Sequence, residues 1–119
     1  MNGIFLDDER IPSDVKWLTL PDINWTVINR AVDFRFFLAV EEKLDEYTYS
    51  FDHDIDSFDS DGNETTGYHC LQELIGRCLD LKLNIPICYF HSKNPIGTNN
   101  MKLYYENVKK LKAEGFFDD

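Results

Sequence analysis

Three short apolar runs in this chain of 119 residues each end in ionisable side chains. Tyr49-Ser50-Phe51 runs into Asp52-His53-Asp54, Ile4-Phe5-Leu6 into Asp7-Asp8-Glu9-Arg10, and Ile87-Cys88-Tyr89-Phe90 into His91-Ser92-Lys93-Asn94. An open α/β sheet binds ligands outside the carboxyl ends of its strands. If the three runs are neighbouring parallel strands, Asp7, Asp8, Asp52, Asp54, His53, His91 and Ser92 converge on one rim. Carboxylates gathered so closely raise one another's pKa and stay ionised only when something positive joins them. A divalent cation meets that need, and an all-oxygen donor set favours magnesium, manganese or calcium over zinc. A lone Asp-Asp pair is more often a turn than a ligand set; two Asp clusters, each directly after an apolar run, reverse that balance.

His53 and His91 are the proton-transfer candidates, because an imidazole exchanges a proton near neutral pH. Either one alone is better explained by structural hydrogen bonding; the case rests on both lying beside the carboxylates. His69 faces the same rim from a first helical turn or is simply a surface residue. Arg10 either grips an anion in bidentate fashion or pairs with Glu9 or Asp14. Ser92, Lys93 and Asn94 precede a turn and a helix start, where free amides suit an anion. Tyr68, Tyr104 and Tyr105 stack on a base or, more simply, pack. Asp59-Ser60-Asp61-Gly62 imitates part of a calcium loop. It fails because the twelfth position is Tyr68, which supplies no carboxylate. P-loop, dinucleotide-glycine and nucleophile-elbow motifs are missing from the sequence.

The elements that must hold these residues alternate. Gly3 to Leu6 reads as a buried central strand. Asp8 to Asn24 is irregular between the breakers Pro12 and Pro21, with Ser13 expected to cap one helical turn through Leu18. Trp25 to Asn29 is the second strand, and Ala31 to Leu44 an amphipathic helix whose inward residues are expected to be Val32, Phe36, Phe37, Val40 and Leu44. Tyr47 to Asp52 is the third strand and Asp54 to Thr66 an acidic loop. Thr65 or Thr66 opens a helix through Lys82, Ile87 to Phe90 is the fourth strand, and Asn94 to Gly97 a turn. Asn99 or Asn100 then caps a last helix; Gly115 to Asp119 is an acidic tail or the stub of a fifth strand. The pattern predicts a three-layer α/β domain, a parallel sheet of about four strands in the order 2-1-3-4 with helices on both faces.

Length and composition bound the rest. The chain suits one domain, and 43% hydrophobic residues support a packed core. A net charge of −10 disfavours extended nucleic-acid binding. Cys70, Cys78 and Cys88 read as free thiols in a reducing compartment. With no leader-like or membrane-length apolar run, a cytoplasmic location is expected and no membrane association.

Leu6-Asp7-Asp8-Glu9-Arg10-Ile11-Pro12, Ser50-Phe51-Asp52-His53-Asp54, Thr66-Gly67-Tyr68, and His91-Ser92-Lys93-Asn94-Pro95-Ile96-Gly97 with Asn100-Met101 occur in this order. Together they resemble the cyclic-phosphate processing receiver-like domain, a relative of response-regulator receivers. The resemblance implies a receiver or flavodoxin-like fold in which Asp7, Asp8 and Asp52 bind magnesium or manganese. Asp52 matches a receiver's phosphoryl acceptor and Ser92 its hydroxyl residue. Two departures speak against phosphorelay signalling: the first helix is reduced to a proline-bearing loop, and a fifth strand with its lysine is missing or rudimentary. The function expected is a metal-dependent phosphoesterase acting on a cyclic or terminal phosphate of a nucleotide or RNA end. His53 or Asp54 would steer water, His91 would protonate the leaving oxygen, and Arg10, Ser92, Asn94 and Asn100 would bind substrate. The alternatives are a non-catalytic module binding a nucleotide or partner protein through its acidic rim, and a phosphoryl-accepting switch; oligomeric state is left open.

Overall fold

The structure is a computed structural model and describes residues 1–117. Its frame is a parallel sheet of β1 (Asn2–Leu6), β2 (Asn24–Ile28), β3 (Thr48–Phe51) and β6 (Cys88–Phe90), in the order β2-β1-β3-β6. This is the order expected, with the hairpin strands β4 (Ser57–Phe58) and β5 (Glu64–Thr65) inserted between the third and fourth strands of the sheet. β1 and β3 are buried on both sides, which explains their lack of polar alternation. The register pairs Leu6 with Ile28 and Phe51, and Phe51 with Phe90. The next rungs are Asp7 N–H to Ile28 (3.1 Å), Asp52 N–H to Leu6 (2.9 Å) and His91 N–H to Phe51 (3.0 Å). Ladder hydrogen bonds therefore fix the backbone of all three rim residues.

One face of the sheet presents Ile4, Leu6, Tyr49, Phe51, Cys88 and Phe90. The buried sides of α1 (Ala31–Val40), α2 (Gly67–Asp80) and α3 (Pro95–Ala113) all join that single cluster. The helices expected on both faces thus lie on one. The third layer is irregular chain: the β1–β2 connection carries Val15 and Trp17 over the side that presents Phe5, Ser50 and His91. In that connection the expected Ser13-capped helix through Leu18 is only the 3-10 turn Pro12–Asp14, with the Asp14 carboxylate accepting the Ile11 N–H (3.0 Å).

Helix α1 packs in a phase that keeps only part of the expected inward set: Phe37 lies against the core on Tyr47 and Tyr49, as expected. Ala31, Phe34 and Leu38 are buried, whereas Val32, Phe36 and Val40 stand in solvent at 60%, 69% and 59% exposure. Nearly every position of Ala31-Val32-Asp33-Phe34-Arg35-Phe36-Phe37-Leu38 offers an apolar side chain, so periodicity alone does not choose a face. The face chosen sets Phe34 edge-on against Phe51 (5.8 Å) and Tyr49 (6.5 Å). Leu44 is buried, but in a separate 3-10 turn.

Thr66 caps α2, its side chain accepting the His69 N–H, and Asn94 caps α3 by accepting the Gly97 N–H (2.9 Å), with Pro95 at the first helical position. The last helix therefore starts earlier than a cap at Asn99 or Asn100 would allow. Glu114 to Phe117 form a turn, not a strand; Asp118 and Asp119 lie outside the described residues. At the open β6 edge the Tyr105 hydroxyl accepts the Cys88 N–H (3.2 Å) and donates to the Pro86 carbonyl (2.6 Å), so Tyr105 is a packing residue. The three thiols are free and buried, and burial pushes Cys70 and Cys78 up to about 12. Among the described residues no helix is long and apolar enough to cross a membrane.

Candidate functional site

Asp7, Asp8 and Asp52 follow β1 and β3 directly, and each offers a carboxylate oxygen within 4.8 Å of the others'. They are not equivalent. Asp7 is fully buried: its Oδ1 accepts the backbone N–H of Glu9 (2.8 Å) and Arg10 (2.9 Å), and its Oδ2 faces His91 Nε2 (3.0 Å). Burial pushes the Asp7 carboxyl up, but the His91 bond and the two backbone bonds outweigh it, leaving the group below its ordinary value. For Asp52, burial and then the nearby charge of Asp7 raise the pKa, against the opposing pull of Ser92, His91 and Arg10. Asp8 is raised in the same direction by burial and by the carboxylates around it. The single guanidinium of Arg10 lies 3.7 Å from Asp7 and 3.9 Å from Asp52.

An all-carboxylate donor set in which two members resist ionisation, with one arginine to balance three acids, fits a hard divalent cation. Asp8 and Asp52 would hold it, with Asp7 behind them. These two residues line an open cleft of about 400 Å³ together with Arg10, Asp54, Ser92 and Asn94, all of which the sequence had singled out. Asp54 is tethered at both oxygens, to His53 Nδ1 (2.9 Å) and to the Asn94 side-chain amide (3.2 Å), and the His53 contact lowers its pKa. His53 stands behind Asp54, its ring laid against Gly97, where an added Cβ would sit 2.4 Å from the imidazole. Gly67 is as tightly fitted, since a Cβ there would meet the Asp52 carbonyl oxygen at 1.7 Å.

His91 does not occupy the role expected of it. The ring is completely buried, stacked on Phe5 (4.2 Å between centroids), with Nδ1 on the Ser50 hydroxyl (2.6 Å) and Nε2 on Asp7. A ring with both nitrogens committed and no exposed edge hands no proton to a ligand in the cleft. Its work is to hold Asp7. Asn100 is exposed in the second turn of α3 and does not line the cleft. His69 closes the α2 cap, its Nδ1 accepting the Thr66 N–H (3.0 Å), and lines a separate cleft with Arg35, Asp59 and Glu73. Within that cleft Arg35 pairs with Glu73 (2.9 Å). Tyr68 and Tyr104 pack on each other at 5.7 Å, away from the rim.

Two participants, Trp17 and Ser50, went unnoticed in the sequence, and two more, Asp56 and Glu64, stood there only as members of the acidic loop over the strand ends. Trp17 donates its Nε1–H to the His91 carbonyl (2.8 Å) and carries Arg10 (5.4 Å) and Lys93 (4.4 Å) on its ring. Its only signal was an aromatic residue inside a proline-bounded loop. Ser50 had a better one: a hydroxyl in the middle of an apolar strand needs a partner. Asp56 and Glu64 bring further negative charge to the cleft wall from the hairpin, Asp56 with a positive φ of 45°.

Residues 2–107 match the family described as the cyclic-phosphate processing receiver domain. No curated protein and no solved structure matches the chain.

Proposed function

Because the chain belongs to the family of cyclic-phosphate processing receiver domains, we propose that it is a metal-dependent phosphoesterase acting on a cyclic or terminal phosphate of a nucleotide or RNA end. The observation that carries this reading is the meeting of Asp7, Asp8 and Asp52 within 4.8 Å beneath an open cleft. Asp8 and Asp52, with Asp7 behind them, would hold a magnesium or manganese ion, which would supply positive charge for the phosphoryl oxygen and acidify water. Arg10 and Ser92 face the phosphate, donating to oxygens on which negative charge grows during attack. Asp54, ionised and pinned by His53 and Asn94, orients the attacking water from the opposite wall of the cleft. Asp54, backed by His53, takes the proton of that water as it attacks, and the departing ribose oxygen, on the far side of phosphorus, takes its proton from solvent in the open cleft. His91, from below, fixes the rotamer and charge of Asp7.

Phosphorus NMR of adenosine 2′,3′-cyclic phosphate with magnesium tests the reading. The protein is expected to convert the cyclic resonance to a monoester, and Asp52→Asn to slow this at least about 100-fold with the fold intact. Full-rate hydrolysis by the variant refutes the assignment. One observation favours the second reading, a non-catalytic binding module: the burial of His91 removes one of the two proton carriers expected at the rim. Magnesium-dependent heat of binding with an unchanged phosphorus spectrum selects it.

A further inference from the structure

The cleft above the carboxylates does not stop at the phosphate-facing residues. A second open cavity, of about 350 Å³, shares Ser92 and Lys93 with it and continues along the first turns of α3 past Thr98 and Asn99 to Lys102. The two ends differ in sign. The first holds Asp8, Asp52, Asp54, Asp56 and Glu64; the second is lined by two lysines and no carboxylate. In a chain with 22 acidic and 12 basic residues, this cation-only stretch directly beside the acidic site is a polarity that a solvated surface does not require. Among the described residues neither lysine has a carboxylate within 4 Å.

Lys93 is also held in position. Its ammonium lies 4.4 Å from the Trp17 ring centroid, and Trp17 is anchored through its indole N–H to the His91 carbonyl. Cation–π contact restrains the side chain where the two cavities join. The start of α3 lies along the same groove, with its dipole favouring an anion there. Thr98 donates its hydroxyl to the Ser92 carbonyl (3.1 Å), fixing the groove floor.

We propose that this groove is a subsite for a second phosphate on the substrate, set apart from the phosphate that reacts. The ligand class is a nucleotide or RNA end bearing both a cyclic phosphate and a 5′-phosphate, in preference to a simple nucleoside cyclic phosphate. This rests on the phosphoesterase reading for the location of the reacting group, but the subsite is judged by binding alone.

Calorimetry of the full chain with saturating magnesium compares adenosine 2′,3′-cyclic phosphate with the same compound carrying a 5′-phosphate. The 5′-phosphate is expected to tighten Kd at least tenfold. Lys102→Glu, on an exposed helical position outside the reacting site, is expected to erase that gain while leaving Kd for the simple cyclic phosphate within twofold. Lys102→Gln, which removes the charge without reversing it, is expected to fall between. Equal affinity for the two compounds in the natural protein, or equal losses for both in the variants, overturns the proposal. Binding of neither compound overturns it together with the phosphoesterase reading. Tenfold discrimination without turnover overturns that reading alone.

Discussion

Asp52→Asn is expected to act with opposite signs in the presence and absence of a divalent cation. In the metal-free protein, Asp52 lies within 4.8 Å of the other two carboxylates. At an effective dielectric of about 20, one such pair repels by roughly 3 kcal/mol before compensation. Arg10, at 3.7 and 3.9 Å from Asp7 and Asp52, offsets most of this. A net repulsion of about 1 kcal/mol is left to be relieved. Asparagine keeps a carbonyl oxygen to accept the His53 N–H, so little else is lost. The variant is therefore expected to melt about 4 °C higher than the natural chain without metal. Because folding raises the pKa of Asp52, the stability linked to this group is fully present below the ordinary carboxylate pKa and is lost as pH rises through the raised value. The advantage of asparagine should accordingly be present at neutral pH and vanish in acid, where natural Asp52 is already protonated. With magnesium at about one hundred times Kd the natural protein gains about 2.7 kcal/mol, or about 10 °C, and the variant gains far less. Thermal unfolding followed by circular dichroism at two pH values, with and without magnesium, reads all four numbers. A variant that is less stable without metal at neutral pH, or that keeps the full magnesium shift, would refute the claim that these carboxylates form a cation site.

Three other substitutions probe the supports of the site. Gly97→Ala drives a methyl into the His53 ring, and the expected result is loss of turnover with a displaced His53 signal in proton NMR; an unmoved imidazole contradicts the close fit. His91→Phe strands the buried Ser50 hydroxyl and Asp7 Oδ2 without their partner, at a cost of about 2–4 kcal/mol in urea unfolding. An effect under about 0.5 kcal/mol would mean that His91 does not hold Asp7. On α1, Phe34→Ala should cost about 3–5 kcal/mol and Phe36→Ala close to nothing; the reverse ranking would show that the helix packs on its other face.

The sheet and its acidic rim were legible in the sequence for a local reason. A strand buried on both sides is a continuous apolar run, and the residue after it stands at the carboxyl end of the sheet whatever the neighbouring elements do. Ile4-Phe5-Leu6-Asp7-Asp8 and Tyr49-Ser50-Phe51-Asp52 therefore announced both the strands and the meeting of their carboxylates. The helix caps were less legible, because Thr65 and Thr66, or Asn94 and Asn99, are equally able to accept an N–H. What chose Asn94 was the Pro95 that follows it, whose missing N–H costs nothing in the first turn.

Which groups reach solvent was decided by tertiary structure alone. His91 is the first residue after its strand and His53 the second after its own, and the sequence does not show which of these two positions is covered. Trp17, 74 residues before His91, covers one of them, while Phe5 and Ser50 seat its ring against Asp7. The two apolar faces of α1 were likewise separated only by what lay opposite them, Tyr49 and Phe51. Residue type and spacing determined which side chains have the chemistry. Burial depends on contacts between segments distant in the chain, so only the packed fold determined which of those side chains holds the site together and which faces the ligand.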